Sequence, residues 1–435
     1  MANTTATNIL QQVQTYQLAH LAFLQNENCF VSTANTKFKD FEKLVGNLGD
    51  TVTFDKPPRM TSTNSLVANF QAADQRVQTL VCDQPASVSY AFSSNQFIFN
   101  VENYMAEFGK AAVEELSAQV ESNVATNCDI NTYRFYGDGV NPINSFTQLA
   151  NALALFRNYG SAKGEAKCYI ADTVTPNIIG SGQNQFTLDR GNRTAHSWEL
   201  GTFKNSEWYE SNLLPVHTSG TPGVNANVLQ VYSVTNNGDQ GAIDTITFSG
   251  VTSALTANDY INPYDKLQFQ DGVAGQPNIR YLTFIGHKPS ANPVQFQAKS
   301  PSVSSNPVAL VNGAYRAVNV GGTFYITIPV NPYLQSAATN NQNLTTPIVA
   351  GMQVKVLPSH RVGLICAGDP LFLAMPRLPD QSPFYTGNET DSDTGVSVRL
   401  YYGALFGQNQ MGMVHDCLWG STLVDEYSMA LVFPL

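Results

Sequence analysis

The chain has 435 residues, of which 43% are hydrophobic and 13% charged, with a formal net charge of −10. It is long enough for two or three domains and apolar enough to exclude global disorder. A negative chain without a basic run also excludes sequence-independent nucleic-acid binding, which neutralises many phosphates.

Charge at about half the roughly 25% of an ordinary soluble protein matches the charge-poor centres of protein–protein interfaces. The first residues, Met1-Ala2-Asn3-Thr4-Thr5, carry neither the positive nor the apolar region of a secretion signal, so no leader is expected. No window approaches about 18 consecutive apolar residues, so no transmembrane helix is expected.

In chain order, residues 8–24 place Ile9, Val13, Tyr16, Leu18, Leu21 and Leu24 at helical spacing. The arm continues through Lys37, Lys39 and Lys43, the densest basic stretch, which Asp40 and Glu42 interrupt. A mixed run of this kind reads as a solvated face. GDTVTFDKPPRM (49–60) starts as a strand and is stopped by Pro57 and Pro58. After a polar tip, QTLVC and SVSYAF return in alternation, so residues 49–93 read as a long β-ribbon. An isolated two-stranded ribbon is marginal in water, so it must fold over its own domain or be ordered by a neighbouring subunit.

A long helix follows, with Asn100 as the expected N-cap and Glu102 in its first turn. Val101, Tyr104, Phe108, Ala112, Leu116, Val120 and Val124 form one apolar stripe, and Glu107, Glu114, Glu115 and Glu121 stay mostly off it. A second helix over 145–160 is expected to end at Gly160, and AKCYIAD (166–172) reads as a strand. Residues 180–220 read as loop-rich. From about 222 to 345, short alternating strands separated by Gly, Pro, Asn and Asp predict an inserted barrel or sandwich. The segment 396–435 predicts a strand, a turn through Gln408–Gln410, a second strand and a final apolar run.

No nucleotide, zinc-protease or hydrolase motif is present. The six histidines stand at no metal-ligand spacing, and His415 and Asp416, as strand neighbours, point to opposite faces. Asp391, Asp393 and Gly395 resemble a calcium loop, but its twelfth position is Tyr402 rather than Glu. The six cysteines, far apart, read as reduced buried thiols, and Trp198, Trp208 and Trp419 as core or interface anchors. No catalytic residue, cofactor site or metal site is expected, and the chain reads as a structural protein rather than an enzyme.

The ordered set GDTVTFDKPPRM (49–60), YMAEFGKAAVEELSAQVESNV (104–124), WYESNLLPVHTSG (208–220), DTITFSG (244–250) and residues 395–431 covers nearly the whole chain. It resembles the major capsid proteins of tailed bacteriophages, the Hong Kong 97-type fold, in the podovirus branch with an inserted β-domain. His415-Asp416 and Gly420 stand where the family often carries an Arg-x-Asp before its final glycine.

The resemblance implies an α+β fold with an N-terminal arm (1–48), an extended loop (49–93), a capsid core (94–221 and 346–435) and an inserted β-domain (222–345). It implies self-assembly into hexamers and pentamers of an icosahedral virion shell around double-stranded DNA, built in the host bacterial cytoplasm. A scaffolding protein and a portal are its implied partners, with no specific nucleic-acid recognition and no membrane. Asp55, Lys56, Pro57, Pro58 and Arg59 in the ribbon, with Lys37, Lys39 and Lys43 in the arm, are the candidate interface residues. Two alternatives remain: a bacterial nanocompartment shell of the same fold, or a glycan-binding or enzymatic β-protein.

Overall fold

The computed structural model describes residues 29–36, 51–62, 66, 70, 76–160, 164–180, 199–202, 205–236, 242–301, 310–380, 385–390, 397–404 and 410–435. The helix expected over 8–24, the lysines Lys37, Lys39 and Lys43, Trp198 and the 391–395 loop lie outside these residues. The fold is mixed α+β, with few helices and many strands. The chain divides into two compact units.

The first unit takes in the chain up to Asp55, Val77–Cys128 and Asp369–Leu423. Its helix runs from Ser94 to Ile130, 37 residues, or about 55 Å. It therefore starts six residues before Asn100, the expected cap. Ala112, Leu116, Val120 and Val124 are buried as the stripe requires. Glu121 departs from the expectation and is buried with them.

The expected ribbon over 49–93 is shorter in the structure. Thr51–Asp55 pairs antiparallel with Val77–Val81, from Thr51 opposite Val81 to Asp55 opposite Val77. The continuation, Gln84–Ser93, instead pairs along Gln410–Leu423 of the same unit, because a ten-residue alternating run gains more from a sheet than from a two-stranded ribbon. Nor does the ribbon lack a core of its own. Leu80, Cys82 and Ala374 cluster with Phe54 and Phe372, whose rings stack at 4.3 Å. Gly420 lets the ribbon base pass, since a Cβ there would sit 2.1 Å from the Val81 carbonyl oxygen.

Strand Gln410–Leu423 also pairs with Ser397–Ala404 and with Leu371–Ala374, and Tyr385–Thr390 adds outside Ser397–Ala404. Here His415 and Asp416 do face opposite ways. The His415 ring stacks on Tyr90 at 6.0 Å, while Asp416 accepts from Arg399 Nε at 2.9 Å.

The second unit takes in Lys56–Arg76, Asp129–Gly368 and Val424–Leu435. One of its sheets orders Phe135–Tyr136, Ser428–Phe433, His360–Ala367, Ala166–Ala171, Ser206–Ser211 and Glu199–Thr202, with Val216–His217 pairing to His360–Ala367. Part of the region read as loop-rich is thus strand: Ser206–Ser211 runs parallel to Ala166–Ala171. Helix Phe146–Asn158 is capped by Ser145, whose hydroxyl accepts from Gln148 N. Gly160, at φ +81°, ends it as the sequence implies.

A second sheet runs Ile243–Gly250, Val228–Asn236, Gln353–Val356, Lys266–Phe269, Gln295–Ala298 and Thr323–Leu334. It returns to Ile243–Gly250 and so closes an antiparallel barrel. Leu229, Ile246, Phe248, Leu267, Phe296, Ile326, Ile328 and Val354 fill it. The barrel reaches past residue 345: Gln353–Val356 sits between Val228–Asn236 and Lys266–Phe269 and completes the wall.

Candidate functional site

The ribbon tip is built where the ladder stops. Beyond Asp55 the chain keeps one more backbone bond, Lys56 N–H to Arg76 O at 2.7 Å. Pro57 and Pro58 then have no N–H to continue it. Asp55 and Pro58 are exposed and Pro57 is half-buried, whereas Lys56 and Arg59 turn inward.

Lys56 Nζ meets Asp425 Oδ1 at 2.7 Å and Glu426 Oε2 at 3.9 Å. Arg76 Nη2 meets Glu426 Oε1 at 2.9 Å and donates to the Pro57 carbonyl at 3.4 Å. Arg59 donates to the carbonyls of Gln342 at 3.0 Å and Leu282 at 3.4 Å, and its guanidinium lies 5.1 Å from the Phe284 ring centre. Thr61 donates to Asn340 at 3.3 Å. Of the candidate interface residues in the ribbon, Lys56 and Arg59 are thus engaged within their own chain.

Charge fixes the protonation of this cluster. Burial opposes the Lys56 ammonium, but Asp425 and Glu426 outweigh it and raise its pKa. Burial likewise opposes the Asp425 charge, and Lys56 outweighs it, holding Asp425 well below the usual carboxylate range. Burial and then the Asp425 charge push Glu426 up. The turn that carries both acids is braced by Arg134, whose Nη2 donates to the carbonyls of Asp425, Glu426 and Ser428 at 3.0, 2.8 and 2.7 Å.

Sequence reading did not find Arg76, Arg134, Asp425 or Glu426. The signal was available: Asp425-Glu426 is an acidic pair inside the apolar run of 417–435, and buried charge needs a partner.

The apolar residues of the tip are partitioned the other way. Leu66 and Phe70 are 107% and 96% exposed, and Met60 and Val77 are also exposed.

A second cluster in the same unit ties the barrel to Asp129 and Thr132. Lys266 Nζ, on a barrel strand, contacts Asp129 Oδ1 at 2.6 Å and donates to the Thr132 carbonyl at 2.9 Å. His217 lies between two carboxylates, with Nδ1 3.3 Å from Asp129 and Nε2 2.8 Å from Asp265. Carboxylates only accept, so both ring nitrogens must carry protons. Burial opposes that charge, but Asp129 and Asp265 prevail and raise His217 to about 9. Burial is likewise overcome at Asp129, which Lys266 and His217 hold well below the ordinary range.

His360 pairs with His217 in register, with ring centres 5.4 Å apart. Burial, aided by the Lys266 and His217 charges, lowers His360 to about 4 and keeps it neutral. Two cations and two anions therefore balance. No sequence spacing could have joined His217 and His360, which only the sheet brings together.

Among the described residues no helix is long and apolar enough to cross a membrane.

No family model matches the sequence, and no curated protein matches it. Among solved structures, the chain is similar to one from Mycobacterium phage Che8, at 9% identity and a TM-score of 0.44, over 93% of this chain and 91% of that one. It is similar to the capsid of Ralstonia phage GP4, at 7% identity and a TM-score of 0.41, over 93% and 88% of the two chains. A virus-like particle from Pyrococcus furiosus gives 5% identity and a TM-score of 0.39, over 97% and 98%.

Proposed function

We propose that the chain is the major capsid protein of a tailed bacteriophage, a Hong Kong 97-type subunit with an inserted β-barrel. It assembles with copies of itself into an icosahedral shell of pentamers and hexamers. The observation that carries this reading is the ribbon tip: Arg59 is buried and Lys56 is engaged by Asp425, while Leu66 and Phe70 stand in solvent. Exposed apolar groups gathered at the end of an extended element mark a surface made for a protein partner. The ordered sequence segments and the 37-residue helix between ribbon and core support the same family.

In this reading the role is structural rather than catalytic. A scaffolding protein and a portal are its partners, the virion is its location, and the host cytoplasm is where it assembles. An acidic subunit does not gather DNA, so the genome enters by another agent.

The test is negative-stain microscopy of the purified protein beside a variant lacking residues 61–76. Closed particles of uniform diameter are expected from the wild type. A soluble, folded chain that assembles poorly is expected from the deletion, because the loss falls on intersubunit contacts. Monomers alone from the wild type, or normal shells from the deletion, would overturn the reading. Neighbouring genes for a terminase and portal, rather than a cargo enzyme, separate the phage shell from a nanocompartment.

A further inference from the structure

A small pocket of about 30 Å³ lies beside Arg134 in the second unit. Arg134, Tyr159 and Tyr281 line it from the buried side, while Asn158, Ser290 and Asn292, exposed or half-buried, form its mouth. Arg134 is only 5% exposed, so its charge is withdrawn from water. Its guanidinium carbon lies over the Tyr159 ring, 3.9 Å from the centre, a contact that holds the group in place. Nη2 is spent on the three carbonyls of the acidic turn. Nε and Nη1 are buried and have no partner among the described residues.

A buried donor without an acceptor forfeits its hydration, and a buried charge without a counter-charge costs more. The surroundings of Arg134 supply neither. The acceptors it meets are neutral carbonyls. The Asp425 carboxylate is engaged by Lys56 at 2.7 Å and that of Glu426 by Arg76 at 2.9 Å. Three cations therefore share two acids. Burial pushes the Tyr133 and Tyr281 hydroxyls up, which keeps both phenols neutral.

We propose that this pocket binds a small carboxylate ion, whose oxygen accepts from an N–H group that Arg134 leaves unmet within the chain. An anion there supplies the missing counter-charge through a charge-assisted hydrogen bond. The amides and hydroxyl at the mouth carry no charge against its entry. The volume is roughly two to three times what one water needs, which suits a planar carboxylate group and is small for a tetrahedral phosphate.

The experiment titrates the full chain with isotopically labelled acetate near neutral pH, at constant ionic strength and without other small oxyanions, and reads the line width of the acetate signal. Saturable broadening is expected, removed by unlabelled acetate and less readily by inorganic phosphate. Broadening that does not saturate, or that phosphate removes as readily as acetate does, would overturn the site as a carboxylate site.

Two variants locate it. In Arg134→Lys the three N–H groups of the ammonium serve the three turn carbonyls and leave none for the ion. Asn292→Asp leaves the bonds of Arg134 untouched and places a negative charge at the mouth, which repels the ion or takes its place. Circular dichroism melts identify the variants that fold. Acetate affinity at least about tenfold weaker is expected in both, the scale of a lost hydrogen bond to a charged group. Unchanged affinity in either folded variant would overturn the assignment, and Asn292→Asp decides it alone if Arg134→Lys does not fold.

Discussion

Lys266 and Asp129 form an ion pair at 2.6 Å with the lysine side chain wholly withdrawn from solvent. This pair joins the wall of the barrel to Asp129, in the last turn of the helix Ser94–Ile130. Removing one partner of a buried pair leaves an uncompensated charge, at a cost of about 3–5 kcal/mol. Lys266→Met is expected to lose stability in that range by urea unfolding. A loss under about 1 kcal/mol would put the pair in the class of surface pairs.

His217 makes the same joint sensitive to alkali. Its folded pKa of about 9 stands above the ordinary histidine value of 6.5. A raised histidine contributes stability that is fully present below the unfolded value and is lost as pH rises through the folded one. Thermal melts from pH 7 to pH 10 should therefore fall in the wild type, most of the loss coming before pH 9. His217→Gln should be less stable at pH 7 and show a flatter profile. Parallel profiles for the two proteins would remove His217 as the titrating group.

Glu121 does an unusual thing for a helix-surface acid. Its Oε1 accepts the N–H groups of Cys29 and Phe30 at 2.8 and 2.7 Å, and its Oε2 that of Val31 at 3.0 Å. Burial pushes its pKa up to about 7 against the pull of those donors. Glu121→Ala leaves buried donors unmet, at about 1–3 kcal/mol for each group left without water or partner. Stability that does not change on this substitution would mean that the short helix Cys29–Thr33 finds another cap.

Leu116 sits on the apolar stripe of the long helix and is fully buried. Leu116→Ala should cost about 2–5 kcal/mol in equilibrium unfolding. A change below about 0.5 kcal/mol would place it at the surface. Phe108 belongs to the same sequence stripe, but its side chain lies outside the described residues.

The barrel offers a test of its own limits. A fragment of residues 222–357 should melt cooperatively, whereas 222–345 should not, because it lacks the strand Gln353–Val356 that joins two walls of the sheet. Equal melts for the two fragments would make that strand dispensable.

The sequence by itself determined the elements whose cause is local. Apolar residues three and four apart made the long helix legible, alternation made the strands of 244–250, 323–330 and 397–404 legible, and paired prolines marked the end of the ribbon ladder. These signals act between near neighbours, so a linear reading captures them. Only the tertiary structure decided which strand covers Gln84–Ser93, that Glu121 is a buried cap, and that Lys56 and Arg59 turn inward. It alone joined Lys56 to Asp425 across 369 residues and set His217 between Asp129 and Asp265. Burial and charge pairing depend on what the whole chain brings together, and neither has a period that spacing can reveal.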